Sequence, residues 1–210
     1  MVQPGKERTK QLILEAAQKH FAHYGFSKVT MDEIADEVGL GKASLYYYFP
    51  TKEKLFQSVV AREKKEFMDS MTLMARDNIP PPAKLRSYVR SRFEHFNKLM
   101  NLNIFDLRSS SKMKPMMKPM FEEFAERELK ILRHIILEGK KNKDFNVASA
   151  EKVAEAFLHT MKGLRLCRIR ASQGPVIESR EIADLEQELE LVTDIFLQGI
   201  CNDAFRPSPS

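Results

Sequence analysis

Cysteine and tryptophan are scarce in this sequence: the 210-residue chain has two cysteines and no tryptophan. Cys167 and Cys201 lie far apart without neighbouring thiols, so their spacing predicts neither a disulfide framework nor a zinc-binding cluster. His20 and His23 are close enough on a predicted helix to share a metal, but no cysteine or third histidine is near them. We therefore predict no metal and no cofactor.

Long apolar runs are also missing. The first ten residues, MVQPGKERTK, lack the apolar core of a secretion signal, and no run approaches the roughly 18 apolar residues that a membrane span needs. We expect a cytoplasmic protein with no membrane partner. The net charge of +5 mildly favours a polyanionic partner and says nothing about the fold.

The recurrence of apolar residues every three or four positions predicts an all-α protein. A first helix is expected over about 7–24, with Gly25 as its carboxy-terminal cap. Thr30 and Glu33 have the spacing of a capping box, in which each side chain satisfies an amide at the start of a second helix. The glycines of GLG then supply a tight turn, and a third helix, KASLYYYF, stops at Pro50.

A long fourth helix is expected over about 51–75, capped by Thr51 and ended before three consecutive prolines. Pro115 and Pro119 predict irregular structure over 109–120, and the final RPSPS, 206–210, is expected to be disordered. The remaining helices are predicted at about 83–102, 121–139, 149–171 and 180–203.

The short second and third helices have the arrangement of a helix-turn-helix, whose second helix enters the major groove of DNA. At 100° per residue, Leu45 and Phe49 project together with Tyr48 alongside, whereas Tyr46 and Tyr47 project away with Ala43. The inward residues would anchor the helix, and the outward tyrosines would be left for a partner. The alternative is that YYYF is aromatic core beside a solvated lysine face.

The segment ILEAAQKHFAHYGFSKVTMDEIADEVGLGKASLYYYFPTKEKLF resembles the TetR/AcrR family of bacterial transcriptional regulators, and the resemblance extends over about residues 10–60. The motifs that carry the resemblance are A..F...G, T...IA...G and LYYYF..K..L. It implies an all-α homodimer whose amino-terminal helix-turn-helix domain, 1–50, reads a palindromic operator in double-stranded DNA. The larger domain, 51–205, linked through helix 51–75, would bind a small effector and carry the dimer interface.

Carried over by position, the resemblance implies DNA contacts at seven residues. They are Thr30, Lys42, Ala43, Tyr46, Tyr47, Tyr48 and Lys52. Base reading would fall on Lys42 and Ala43, and phosphate contacts on Thr30, the tyrosines and Lys52. Pro50 departs from the pattern, because other members often carry a lysine or another polar residue there, so one phosphate contact is expected to be lost.

The helix at 180–203 carries a narrow apolar seam of the kind that pairs with another helix. Its members are Ile182, Leu185, Leu189, Val192 and Phe196. Its other faces are acidic, whereas the preceding helix is basic. We predict that these two helices pair across a dimer as a four-helix bundle, with Phe157 and Leu164 contributing from the preceding helix. An intrachain pair with a solvated acidic face is the alternative.

Methionine and phenylalanine are concentrated in the middle of the chain, which fits a pocket for a hydrophobic effector because methionine adapts to varied apolar shapes. The candidate pocket residues are Phe67, Met71, Phe93, Phe96, Met100, Phe105, Met117, Phe121, Phe124 and Met161. The same residues equally fit an ordinary core. The basic residues between 108 and 118 belong to a solvated loop or to a site for an acidic ligand.

These observations predict a ligand-responsive DNA-binding regulator, a repressor if it follows most of the family, that a small hydrophobic effector releases from DNA. The alternative is a DNA-binding regulator without a small-molecule effector, controlled by a protein partner or by abundance. An enzyme is not predicted, because the sequence offers no Cys–His pair or metal cluster. GLGKAS also fails the phosphate-binding pattern, since Asp36 and Ala43 stand where that pattern needs glycine and a hydroxyl residue.

Overall fold

The structure is a computed structural model, and it describes residues 4–101, 113–171 and 179–202 of the chain. No strand occurs within these ranges, although Phe145 and Cys201 form an isolated antiparallel bridge. The prediction of an all-α protein is therefore confirmed. In the same part of the chain, every helix is too short or too polar to span a bilayer.

The described ranges contain eight helices, labelled here in chain order. They are α1 (Pro4–Tyr24), α2 (Met31–Glu37), α3 (Lys42–Tyr48), α4 (Lys52–Arg76), α5 (Pro81–Asn101), α6 (Met113–Asn142), α7 (Ala150–Ala171) and α8 (Ser179–Ile200). All but α6 begin and end within about three residues of the predicted bounds. The predicted disordered tail, 206–210, and the first part of the basic stretch, 108–112, lie outside the described residues.

The prediction of irregular structure over 109–120 is wrong where the structure describes that segment, because α6 already begins at Met113. Pro115 lies in the first helical turn, where an amide has no intrahelical acceptor, so its missing N–H costs nothing there. Pro119 does remove one hydrogen bond inside the helix. Burial of Met117, with Met116 partly buried against the same core, favours the helix over a loop.

The described residues form two compact units, one within Met1–Glu66 and His95–Phe121, the other within Phe67–Glu94 and Glu122–Ser210. The first unit packs α1 to α3 on the amino-terminal half of α4. Its core extends past the predicted boundary at residue 50, because side chains of α4 and α6 share it with α1 to α3. Fully buried members include Ile13, Phe21, Ile34, Leu45, Phe56 and Val60.

The second unit holds a charged network in its interior. The Tyr88 hydroxyl donates to Glu128 at 2.7 Å, and the Arg92 Nε donates to the same carboxylate at 2.6 Å. Burial, the largest single effect, raises the pKa of Glu128, but the Arg92 charge together with the hydrogen bonds from Arg92 and Tyr88 lowers it more, so the net pKa lies below its ordinary value. All three side chains are buried, so their mutual hydrogen bonds replace the water that each has lost.

A second buried cation joins three helices of this unit. The Lys84 ammonium on α5 donates to the Ala75 carbonyl near the end of α4 at 2.9 Å and to Glu138 on α6 at 2.8 Å. Lys84 is 2% exposed, so these acceptors take the place of solvent around its charge. The contact satisfies one of the last carbonyls of α4, which has no partner within its own helix.

Candidate nucleic-acid interface

Backbone hydrogen bonds fix the turn between α2 and α3, and their pattern requires a residue with left-handed backbone geometry at position 39. Gly39, with φ of 68°, donates to the Asp36 carbonyl at 3.1 Å, and Leu40 donates to the Ala35 carbonyl at 2.9 Å. This is the Schellman pattern, in which a glycine ends a helix and turns the chain. It directs α3 out of α2 at once, so the two helices form a compact pair.

The amino end of α2 carries the predicted capping box. The Thr30 hydroxyl accepts from the Glu33 amide at 3.3 Å, and the Glu33 carboxylate accepts from the Thr30 amide at 2.8 Å. The Thr30 hydroxyl also donates to this carboxylate at 2.9 Å, and the two hydrogen bonds from the Thr30 amide and hydroxyl lower the pKa of Glu33, since they favour the ionised carboxylate. Thr30 is exposed at this end of the helix, where free amides and the helix dipole also favour an anion.

Helix α3 divides its aromatic side chains as the helical wheel predicts. Leu45 is fully buried and Phe49 is 3% exposed, so both anchor the helix in the core of the first unit. Tyr46 and Tyr47 are 39% and 69% exposed, respectively, whereas Tyr48 is partly buried against that core. The alternative of an entirely aromatic core is therefore wrong, because two of the three phenols face outward.

The amino end of α3 presents a small residue beside a cation. Ala43 is exposed, and the Lys42 ammonium lies 2.7 Å from Asp32 on α2. This hydrogen bond raises the pKa of Lys42. Because both side chains are more than half exposed, the ion pair is weak and the ammonium can exchange Asp32 for another anion.

Lys52, the first residue of α4, is held more firmly than the sequence suggests. Its ammonium donates to the Phe26 carbonyl at 2.9 Å and to the Val29 carbonyl at 2.8 Å. It also lies 4.6 Å from the centre of the Phe26 ring. Two of its three N–H donors thus hold the loop between α1 and α2, which leaves one for another acceptor.

One cation next to the tyrosines was not among the predicted site residues. The Lys6 ammonium, near the start of α1, donates to the Tyr47 hydroxyl at 3.0 Å and lies 4.8 Å from the centre of its ring. The contact raises the pKa of Lys6 and lowers that of Tyr47. Helical spacing could have pointed to it, because Lys6 precedes the buried Ile13 by two helical turns and so shares its face.

The predicted pocket residues are divided between the two units. Met117 and Phe121 belong to the core of the first unit. In the second, Phe67 and Phe124 have ring centres 5.6 Å apart. The buried members of the set there are Phe67, Met71, Phe93 and Met161. The side chains of Phe96, Met100 and Phe105 lie outside the described residues.

The predicted dimer residues are partly used within the chain. Leu185 and Leu189 are 2% and 7% exposed, and the buried Phe157 lies with its ring centre 4.6 Å from that of Phe196. Arg168 on α7 donates to Glu188 on α8 at 3.2 Å, so the opposite charges of the two helices also meet within one chain. Four members of the set are partly exposed, namely Leu164, Ile182, Val192 and Phe196.

The strongly exposed apolar side chains of α8 are different ones. Leu191 is 60% exposed and Ile195 is 58% exposed. They stand four positions apart and therefore lie on one face of the helix.

Comparison with known proteins places the helix-turn-helix in a family. Residues 13–59 match the model of bacterial regulatory proteins of the tetR family. The chain is 33% identical over 85 residues to the HTH-type transcriptional regulator RutR of Escherichia coli strain K12. That alignment covers 40% of this chain and only 40% of RutR, so it leaves most of the curated relative unmatched.

Solved structures cover more of the chain. A transcriptional regulator from Cytophaga hutchinsonii superposes with a TM-score of 0.85 and 39% identity, over 91% of this chain and 98% of that one. The complex of SmeT with triclosan superposes with a TM-score of 0.70 and 19% identity, over 97% of this chain and 99% of SmeT. SmeT is the repressor of the multidrug efflux pump SmeDEF of Stenotrophomonas maltophilia.

Proposed function

The chain belongs to the tetR family of transcriptional regulators, and from this premise we propose that it is a ligand-responsive repressor that binds a palindromic operator as a homodimer. Its family is one of regulators and not of enzymes. The observation that supports DNA binding most directly is the outer face of α3, where Tyr46 and Tyr47 are exposed while Leu45 anchors the helix. A recognition helix needs such a firmly seated inner face and a free outer one.

The proposed DNA contacts divide into two kinds. Lys42 and Ala43 would reach base edges, with the Lys42 ammonium leaving Asp32 for a purine acceptor and the Ala43 methyl touching a thymine methyl. Tyr46, Tyr47 and the remaining N–H of Lys52 would bind phosphates, which position the protein without reading sequence. Thr30 and Tyr48 belong to the same proposal, although the cap and the core already use part of each side chain.

Dimerisation follows from the operator's proposed symmetry. Two recognition helices must stand about 34–36 Å apart to enter successive major grooves, and a two-fold dimer meets that condition. Of the candidate surfaces on α8, the exposed Leu191 and Ile195 are available to a second copy, whereas Leu189 is already buried within the chain. We therefore propose that the interface includes these two residues beside the partly exposed members of the predicted seam.

The dimer is tested by sedimentation of two charged variants. Ile195→Glu should give folded monomers, because it places a carboxylate in the proposed interface without disturbing the chain's own core. Leu189→Glu should instead unfold the second unit, since its side chain is 7% exposed. A folded Ile195→Glu variant that remains dimeric would exclude this face.

The proposed effector is a small hydrophobic molecule that binds within the second unit. Its binding would release the protein from DNA. SmeT, a repressor of the same fold, is solved with triclosan. In this chain the buried rings of Phe67 and Tyr88, 6.5 Å apart between their centres, would offer apolar contacts to a hydrophobic effector. An effector that prefers the conformation with badly spaced recognition helices would shift the population off DNA by its differential affinity. The alternative is control without an effector; apolar ligand recovered by mass spectrometry from the purified protein would argue against it.

The function is tested by selection from random duplex DNA, followed by titration of the winner at several salt concentrations. We expect a palindrome with a steep dependence of affinity on salt. Tyr47→Phe should weaken binding to matched and scrambled operators alike. Lys42→Ala should also relax preference at one or two base pairs, since a base contact is worth about 1–3 kcal/mol. If protein freed of ligand enriches no sequence, the proposal fails.

A further inference from the structure

The contact between Lys6 and Tyr47 joins the amino end of α1 to the outer face of α3 across 41 residues of sequence. The ammonium lies 3.0 Å from the phenolic oxygen and 4.8 Å from the ring centre, so it is placed beside both the polar end and the face of the tyrosine. Both residues are exposed. The pair therefore stands at the surface that the proposed function turns toward DNA.

The position of Lys6 follows from the geometry of α1. Lys6 precedes Ile13 by seven residues and Ala17 by eleven, close to two and three helical turns, so the three share one face. Ile13 and Ala17 are fully buried in the core of the first unit. Lys6 lies on the same face but beyond the end of that core, where its side chain reaches Tyr47 on α3.

The hydrogen bond leaves both groups able to bind one more acceptor. The Tyr47 oxygen accepts from Lys6, so the hydroxyl proton is available to an outside acceptor, and the ammonium keeps two further N–H donors. The lowered pKa of Tyr47 fits a hydroxyl made a stronger donor by the adjacent cation. Two donors about 3 Å apart match the spacing of oxygens around a single phosphodiester.

We propose that Lys6 and Tyr47 form a composite clamp for one DNA phosphate, which makes the first turn of α1 part of the nucleic-acid interface. This inference rests on the proposed function, since it requires α3 to face DNA. The clamp reads no sequence; it fixes the register of α3 in the groove. An exposed contact of this kind contributes little to folding, so loss of Lys6 should leave the fold intact.

The matched control is Arg8, which carries the same charge two positions later and therefore points to the opposite side of α1. It is also exposed. Removing Lys6 or Arg8 changes the net charge equally, so any difference between Lys6→Ala and Arg8→Ala reports the position of the charge. Unfolding midpoints of both variants should equal that of the wild type.

The experiment measures affinity between 50 and 200 mM salt for the selected palindrome and for a random duplex of the same length. Loss of one phosphate contact per protomer should make the slope of log affinity against log salt shallower by about 0.9 per protomer. Between 50 and 200 mM salt, the affinity of the variant should therefore fall by a factor about 3.5 smaller per protomer than that of the wild type. Lys6→Ala should show this reduction on both duplexes, and Arg8→Ala should show less than half of it.

A double-mutant cycle with Tyr47→Phe tests the clamp itself. Because both side chains bind one phosphate, the double variant should lose less affinity than the product of the two single losses. If the free-energy losses of the two single variants add up in the double variant, the clamp is wrong. Equal salt slopes for Lys6→Ala and Arg8→Ala would also overturn it. In either case, binding of the wild-type protein to the palindrome would still support the proposed function. Wild-type protein that binds neither duplex would instead overturn the proposed function, and the clamp with it.

Discussion

Replacing Lys52 with methionine separates a role in folding from a role in DNA binding. The sequence assigns this residue to phosphate binding, yet its ammonium donates to the carbonyls of Phe26 and Val29. Methionine keeps most of the apolar stem and removes only the charge and its three donors. The substitution should therefore lower stability as well as DNA affinity.

The expected loss follows from three contacts. Hydrogen bonds from a charged donor contribute about 1.5–3 kcal/mol each, and the partly exposed position of Lys52 places both near or below the lower limit. The ammonium also lies 4.6 Å from the centre of the Phe26 ring, a cation–π contact worth about 0.5–1 kcal/mol. Together they give about 2–4 kcal/mol, or a fall in Tm of roughly 4–16 °C for a chain of this length.

Thermal and urea unfolding of the DNA-free protein measure this directly, with Lys54→Met as the control. Lys54 lies on the same helical turn and is exposed, and its ammonium is 3.4 Å from the Gln57 side chain. The control should shift the midpoint by less than about 0.5 kcal/mol. If both variants unfold at the wild-type midpoint while Lys52→Met loses DNA affinity, Lys52 is a phosphate contact alone and the reasoning from the carbonyls is refuted.

Three further predictions concern the fold. Gly139→Ala should cost about 1–3 kcal/mol because its Cβ would overlap the Phe145 ring, whereas Gly5→Ala, with open space around it, should be neutral in the same denaturant titration. Thr30→Ala should cost about 1 kcal/mol by removing the cap of α2, and Thr30→Ser should restore most of it; an unchanged midpoint would contradict the cap's role. Since the folded pKa of Glu128 is lowered, its charge stabilises the protein above about pH 4.3, and this is lost as pH falls through the folded pKa. Glu128→Gln should therefore be less stable at pH 7 and lose less stability on acidification, as unfolding measured across that range would show.

The course of α6 illustrates where local rules are insufficient. Two prolines within five residues argue against a helix, and Pro119 does lack the amide that the helix would use. Met117 nevertheless reaches the core of the first unit, where it is 5% exposed. The free energy of that burial depends on residues more than fifty positions earlier in the chain, and no window around Pro119 contains them.

Short-range patterns determined the helices and the division of α3. The capping box at Thr30, the glycine at 39 and the 100° periodicity that turns Leu45 inward and Tyr47 outward all act within a few residues, so the sequence alone contains them. The membership of the second-unit core, by contrast, was open: Leu189 fits a dimer seam and an intrachain seam equally well. Its burial within the chain follows from the packing of α8 on α7, which periodicity cannot assign to one copy or two.

The cations show the same limit most clearly. The sequence places Lys52 at the start of a helix and Lys6 near the start of another, and both positions alone suggest exposed charge. Only the tertiary structure brings the Phe26 carbonyl within 2.9 Å of one ammonium and the Tyr47 hydroxyl within 3.0 Å of the other. A lysine side chain is long and flexible, so its partner is decided by which elements pack beside it and not by its neighbours in sequence.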